Sequence, residues 1–221
     1  LLKADLGLFI QGPNFKLIIA GELSIKVTSS LDSLLSINVS FMGGIELSKG
    51  LFFDASIHDS KFVGLNLEGD IALRIYWAGS TKGFVLSAGG FHPQYLPPEG
   101  FDLPAQMKRL SIGLKYSFVK MSLQAYFAIT SNTVQFGARV DIKAESHGWG
   151  ISGYLFFDAL FQFKPFYFKI QTGAGVSLKA HGFTLLSVRL SFELSGPAQW
   201  NAKGTAYVKI STGLAAIKKI P

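Results

Sequence analysis

The feature that most constrains this chain is an almost unbroken alternation of apolar and polar residues. Leu110, Ile112, Leu114, Tyr116 and Phe118 are interleaved with Ser111, Gly113, Lys115 and Ser117. Met121, Leu123, Ala125, Phe127 and Ile129 alternate with Lys120, Ser122, Gln124, Tyr126 and Ala128. Val134, Phe136, Ala138, Val140 and Ile142 do so with Gln135, Gly137, Arg139, Asp141 and Lys143. Side chains of a strand point to opposite faces in turn, so each run is a strand with one apolar and one polar face. The same period runs through Leu17 to Ile25, Leu35 to Ile45, Leu65 to Trp77, Phe166 to Leu178 and Leu186 to Leu194. Helical spacing is nearly absent.

Short polar or Gly-bearing breaks separate the runs: "TSSLDS", "LSKG", "HDSK", "AGSTKG", "TSNT", "ESHG", "KAHG" and "SGPAQ". Breaks of this length close hairpins and are too short for crossover helices. The expectation is an all-β chain, a long antiparallel meander of about a dozen strands curled into a barrel-like trough or sandwich. The exception to the pattern is "FHPQYLPPEGFDLPAQMKR", from Phe91 to Arg109, which has four prolines and no period. It reads as a long surface loop with room at its end for a short helix, and as the one internal place for a sub-boundary. Because the alternation resumes beyond it, residues 1–221 read as a single β-rich module. The opening "LLKADLGLFI" has neither an initiator Met nor a signal-peptide pattern, so the module is expected to be a fragment of a larger protein. Compartment stays open, and a secreted or cell-envelope location is compatible.

Composition narrows the chemistry. There is no cysteine, hence no disulfide framework and no thiolate site. No apolar run is long enough for a transmembrane helix. The net charge of +7 is unevenly placed: residues 1–109 hold nine Lys/Arg against ten Asp/Glu, residues 110–221 twelve against four. A basic half suits phosphates or anionic head groups, and equally a Lys-decorated solvent face.

The oiliest stretch, "YLFFDALFQFKPFYFKI" from Tyr154 to Ile170, resolves into two strands of a hairpin turned at Lys164-Pro165. Tyr154, Phe156 and Leu160 fall on the phase opposite to Phe157, Phe161 and Phe163, so the hairpin needs cover on both faces. Its Leu-Phe-Phe-Asp-Ala repeats a phrase at Leu51 to Ala55, through duplication or chance. Asp54 and Asp158 each follow Phe-Phe in an oily strand, where a neighbouring strand or water must satisfy them.

Four longer phrases, "GFVLSAGGFHPQYLPP" (Gly83 to Pro98), "TSNTVQFGA" (Thr130 to Ala138), "FDALFQFKPFYF" (Phe157 to Phe168) and "LSGPAQWNAKGTA" (Leu194 to Ala206), resemble an uncharacterised family of large bacterial proteins, domain of unknown function 6603. The resemblance implies a β-rich module of a larger polypeptide. It brings no activity and no catalytic residue with it.

Catalytic and metal motifs are missing. His58, His147 and His181 lie in turn-like breaks and His92 in the Pro-rich loop, with no HExxH pair, no nucleophile elbow and no phosphate loop. Asp54, His58 and Asp59 could gather an ion or serve as acid and base, but in a strand Asp54, Ser56 and His58 simply line the solvent face. No metal and no cofactor is expected.

What decides function is the fate of the apolar face. It can be a packed core with Gly21, Gly43, Gly69 and Ala138 making room for rings, an open oily groove, or the lipid-facing wall of a membrane barrel. The leading expectation is a non-enzymatic structural or binding module with an apolar groove for lipid-like molecules. Its wall would be Phe127, Phe136, Phe157, Phe161, Phe166, Phe168 and Phe192. The rival is an assembly module that pairs with neighbouring chains or the rest of its polypeptide. Lys120, Tyr126, Tyr167, Lys169, Lys203, Tyr207 and Lys209 share the polar phase and form a candidate anionic-partner face. Single-stranded nucleic acid is a weaker alternative occupant of that face.

Overall fold

The computed structural model describes residues 1–13, 15–28, 33–79, 82–97, 99–197, 199–211 and 215–220. The proposed breaks at 29–32, at 80–81 and at Ala198 therefore lie outside the described residues. Among the described residues there is no helix, and the strands are β1 (Leu2–Gln11), β2 (Lys16–Thr28), β3 (Ser33–Glu46), β4 (Gly50–Phe62), β5 (Leu65–Tyr76), β6 (Gly83–Ala88), β7 (Leu110–Tyr116), β8 (Val119–Thr130), β9 (Thr133–Ser146), β10 (Trp149–Gln162), β11 (Tyr167–Ala180), β12 (Phe183–Gly196), β13 (Asn201–Ser211) and β14 (Ala215–Ile220). The hydrogen-bonded order follows the chain from β1 to β6 and from β8 to β14, with β7 pairing β5 and β8. The all-β antiparallel meander expected from the alternation is what forms, with two more strands than the dozen read from it.

Two readings of the breaks change. "HDSK" is not a turn: β4 runs through it with a shift of register between Ile57 and Ser60, where Asp59 takes a positive φ of 46°. His58 is thus a strand residue at a bulge. Among its described residues the Pro-rich segment contains no helix.

The chain divides into two compact units, Leu1–Ile112 with Ala125–Phe136, and Gly113–Gln124 with Gly137–Pro221. In the first unit the register keeps one phase together across the strands. Leu23 sits opposite Val39, Phe41 opposite Ala55, Phe53 opposite Leu73, and Leu73 opposite Leu86. The opposite phase sets Ala72 beside Ser87 and Ser87 beside Ala128, then Arg74 beside Val85 and Val85 beside Thr130.

It is this second, more polar phase that is buried. Ala72, Ser87 and Ala128 have no accessible surface, and Val85 is 1 % exposed. The apolar phase stays open, with Ile75, Phe84 and Phe127 between 37 % and 45 % exposed. The cause is segment 91–109, which lies across the polar phase rather than excursing into solvent. Phe101 stacks on Tyr76 with ring centroids 5.4 Å apart, and Phe91 and Leu103 pack on the same cluster with Val85.

Polar groups tie the segment down. Arg74, its side chain 4 % exposed, bonds both oxygens of Asp54 at 2.8 and 2.9 Å and donates from Nη2 to the carbonyl of Asp102 at 2.9 Å. The amide of His92 donates to Gln135 Oε1 at 2.9 Å, and Gln135 Nε2 donates to Thr133 Oγ1 at 2.9 Å. Ser87 Oγ donates to the carbonyl of Gly90 at 2.8 Å, and the guanidinium of Arg109 lies 4.0 Å over the ring of Tyr126. A buried polar face is viable only when its groups are satisfied this way.

Among the described residues the second unit has the same two-phase sheet without such a segment. Its apolar rungs are Leu155–Ala174–Leu190–Ala206 and Phe157–Thr172–Phe192–Gly204. The hairpin turns after Gln162 and resumes at Tyr167, as the Lys164-Pro165 reading requires.

Candidate functional site

On the apolar phase of the second unit, Ile151, Leu155, Phe157, Val176, Leu190, Phe192 and Ile210 are between 39 % and 57 % exposed. Ile142 belongs with them, since a Cβ built on Gly153 would meet its Cγ2 at 3.4 Å. Thr172 is the one polar side chain on the β10–β12 rungs of this face, and its hydroxyl already donates to the carbonyl of Phe156 at 2.9 Å.

The seven proposed wall residues are spread over both units. Phe127 and Phe136 belong to the first unit and are 45 % and 39 % exposed. Phe157 and Phe192 flank Thr172 in the second. Phe161 and Phe168 stack in register at the hairpin end with centroids 6.4 Å apart, and Phe166 lies 6.3 Å from Phe168. Phe168 is buried because Trp200 packs edge-on at 5.2 Å and Gly196 lies under its ring. Trp200 is a member of this aromatic group that alternation could not nominate, since it lies outside any strand.

The polar phase of the second unit carries a pocket of about 590 Å³. Register defines it. One rung is Tyr154–Gly175–Arg189–Tyr207, and the next is Ser152–Ser177–Ser187–Lys209. Gly175 and Gly173 let the rings of Tyr154 and Phe156 lie flat over β11: a Cβ at either position would collide with the ring, at 2.8 Å from Tyr154 Cζ and 2.9 Å from Phe156 Cζ. The two rings tile side by side, 6.3 Å apart and tilted by 20°.

Cations surround this floor. Arg139 lies 4.9 Å over the Tyr154 ring and Arg189 lies 5.9 Å over Tyr207, while Lys179 and Lys209 complete the lining. Arg139 is neutralised in place by a two-pronged bond to Asp141 at 2.6 and 2.7 Å, which holds its guanidinium above the ordinary value against the opposing effect of burial. Among the described residues no carboxylate lies within ion-pair distance of Lys179, Arg189 or Lys209. Glu145, bound to Lys143 at 2.7 Å, feels Lys179 only at longer range.

Of the proposed anionic-partner residues, Tyr207 and Lys209 enter this pocket. Lys169 and Lys203 instead gather around Glu193, which Lys169 approaches to 3.2 Å and Gln171 to 2.8 Å. Burial there pushes the Glu193 carboxyl up, but these bonds and the two lysine charges together hold it below its ordinary value. Tyr167 lies at the hairpin end, 37 % exposed. Lys120 is in the second unit, and Tyr126 is buried in the first. Arg139, Tyr154, Lys179, Ser187 and Arg189 are the additions. They could have been found only from the strand register, because they come from four strands.

Of Asp54, His58 and Asp59, the last two meet and Asp54 has another partner. Asp54 is held by Arg74, whereas His58 bonds Ser40 through Nε2 at 2.8 Å and Asp59 through Nδ1 at 3.3 Å. Among the described residues no group of three His, Asp or Glu could hold a metal ion. The Leu-Phe-Phe-Asp-Ala phrases occupy parallel settings. Phe52 lies over Gly44 as Phe156 lies over Gly173, and Phe53 and Phe157 are both exposed on the apolar phase. Asp54 meets Arg74 while Asp158 raises the charge preference of Arg139.

The family phrases also meet in space. Gly83 to Pro98 and Thr130 to Ala138 share the His92–Gln135–Thr133 network, and Phe157 to Phe168 meets Leu194 to Ala206 through Phe168, Gly196 and Trp200. No curated protein and no solved structure is significantly similar to the chain. The sequence does match the Family of unknown function (DUF6603) across residues 1–218, and the chain belongs to that family.

Proposed function

We propose that this chain is a non-enzymatic binding module whose apolar sheet face in the second unit holds hydrocarbon chains of lipid-like molecules. The observation that carries the reading is the composition of that face: aliphatic and Phe side chains 39–57 % exposed, in register over neighbouring strands. A face four strands wide and ten residue steps long measures roughly 19 by 33 Å, at or beyond the largest apolar patch of a typical monomer, about 300–600 Å². Protein partners bring polar groups and need roughly one hydrogen bond per 100–200 Å² of interface. Here the single hydroxyl of the central rungs is already spent on a backbone carbonyl. An occupant without polar groups matches this face, and acyl chains are such an occupant.

The test is native mass spectrometry of the gently purified chain together with titration of a fluorescent fatty acid. Bound acyl species and saturable fluorescence are expected, both lost in Leu155→Asp/Leu190→Asp. If the chain instead carries no lipid, ignores the fatty acid and self-associates in sedimentation with this face protected from hydrogen exchange, the assembly reading replaces the lipid one.

A further inference from the structure

We propose a second site on the opposite face of the second unit: the pocket over Ser177 and Ser187 binds a phosphate monoester. The argument is one of charge and register. Ser177 donates to Ser187 at 2.8 Å, and Ser187 is 3 % exposed, so this hydroxyl pair forms the base of the pocket. Around Ser187, Lys209 is its direct partner on the next strand and Arg189 lies one rung away on its own strand. Lys179 lies one rung beyond Ser177 on the third side. Three cations thus converge on two hydroxyls in a cavity of about 590 Å³.

Like charges brought together in a concave site repel one another unless an anion enters between them. The fourth cation, Arg139, shows what satisfaction looks like, since Asp141 binds it with both oxygens. No such carboxylate reaches the other three among the described residues. A carboxylate ligand would bring one charge and two oxygens. A phosphate monoester brings a charge of about −1.5 to −2 and three acceptor oxygens, which matches three cations and the Ser187 hydroxyl. The Phe156 ring, laid flat over Gly173 at the pocket edge, offers an apolar surface to the organic part of the ester.

The geometry does not need a helix terminus or a glycine-rich phosphate loop. Long side chains on adjacent strands reach the anion from a sheet surface, so sequence motifs for phosphate binding are silent here. The phosphate can belong to a small metabolite or to a lipid head group. Either source would present the same three oxygens.

The test uses the full chain. Phenyl phosphate is titrated by calorimetry, inorganic phosphate by phosphorus NMR, and vesicles of phosphatidylcholine with phosphatidic acid by flotation. Saturable binding of phenyl phosphate is expected, weakened at least about tenfold in Arg189→Gln/Lys209→Gln, the loss of two charge-assisted contacts. Phe156→Leu should weaken phenyl phosphate but leave inorganic phosphate unchanged. Arg189→Lys, which keeps the charge, should retain most of the affinity and serves as a check that the sheet is intact. Flotation that depends on Arg189 and Lys209 assigns the phosphate to a lipid, and its absence with soluble binding intact assigns it to a free monoester. Absence of phosphate binding in all three assays, or binding indifferent to Arg189→Gln/Lys209→Gln, overturns the proposal.

Discussion

Arg74→Met is expected to destabilise the first unit and release the Pro-rich segment from it. Arg74 is nearly inaccessible, and Asp54 opposite it is 26 % exposed. The guanidinium makes two bonds to that carboxylate, one to the Leu73 carbonyl at 2.9 Å and one to the Asp102 carbonyl at 2.9 Å. Methionine keeps most of the apolar stem but loses the guanidinium that lies 5.6 Å over the Phe52 ring, and strands a carboxylate and the Asp102 carbonyl. Removing one partner of a buried pair costs about 3–5 kcal/mol, and the partial exposure of Asp54 places this case at the lower end. For a chain of this size about 3 kcal/mol corresponds to a fall in melting temperature of about 6–12 °C. Thermal melting would read the shift, and hydrogen exchange should show amides of 91–109 losing protection before those of β10–β12. Asp54→Leu/Arg74→Met should recover at least half the loss, because no charge is then stranded. A single variant melting within about 2 °C of the parent, or a double variant as unstable as the two singles combined, would refute the view that this pair fastens the segment.

The neighbouring ion pair makes a contrasting case. Lys49 and Asp102 are 2.9 Å apart but 45 % and 69 % exposed, so Lys49→Ala should cost less than about 1 kcal/mol in urea unfolding. At the pocket, Gly175→Ala should lift the Tyr154 ring off β11 at a cost of about 1–3 kcal/mol, and should alter the Arg139 side-chain resonance in NMR. Glu193, whose carboxyl is held below its ordinary value in the fold, contributes stability that is present above the unfolded value of 4.5 and is lost as pH falls through the lower folded one. Urea midpoints should therefore drop on acidification below that value, and drop less in Lys169→Met. Equal slopes in the two proteins would show that Lys169 is not the cause.

The strands were legible because one-sided alternation leaves few alternatives: from Leu17 to Ile25 or from Leu186 to Leu194 no helix could sort the side chains. What alternation could not say is which phase is covered. Leu73 and Ile75 look like core and Arg74 and Ser87 look like surface, yet Arg74 and Ser87 are buried while Leu73 is half-buried and Ile75 exposed. The difference lies in residues without any period, Phe91, Phe101, Leu103 and the carbonyl of Asp102, which come from elsewhere in the chain. Register was equally invisible. Lys209 and Tyr207 were visible as a basic and aromatic pair in one strand, but Arg189, Ser187 and Lys179 join them only once the pairing of β11, β12 and β13 is known. A polar "HDSK" looks the same whether the strand ends or merely kinks, so the sequence alone does not separate the bulge at His58 from a turn.

Arg189 and Leu190 are neighbours in sequence and lie on opposite faces of β12, so the two proposed sites can be separated by adjacent substitutions. Leu190 is 52 % exposed on the apolar face, and Arg189 is exposed at the pocket on the other. Neither is needed to fill a core, and either change leaves the β12 backbone pairs to β11 and β13 in place. Leu190→Asp places a charge where hydrocarbon should lie and should abolish fatty-acid binding, while phenyl phosphate affinity stays within about twofold, the behaviour of sites with no shared partner. Arg189→Gln should do the opposite. A sheet one residue thick has no interior through which one face could feel the other except a change of register, and a register slip would move every side chain to the wrong face at once. If each substitution weakened both ligands, the faces would be reporting such a slip or a single amphiphilic ligand, and the assignment of two independent sites would fall.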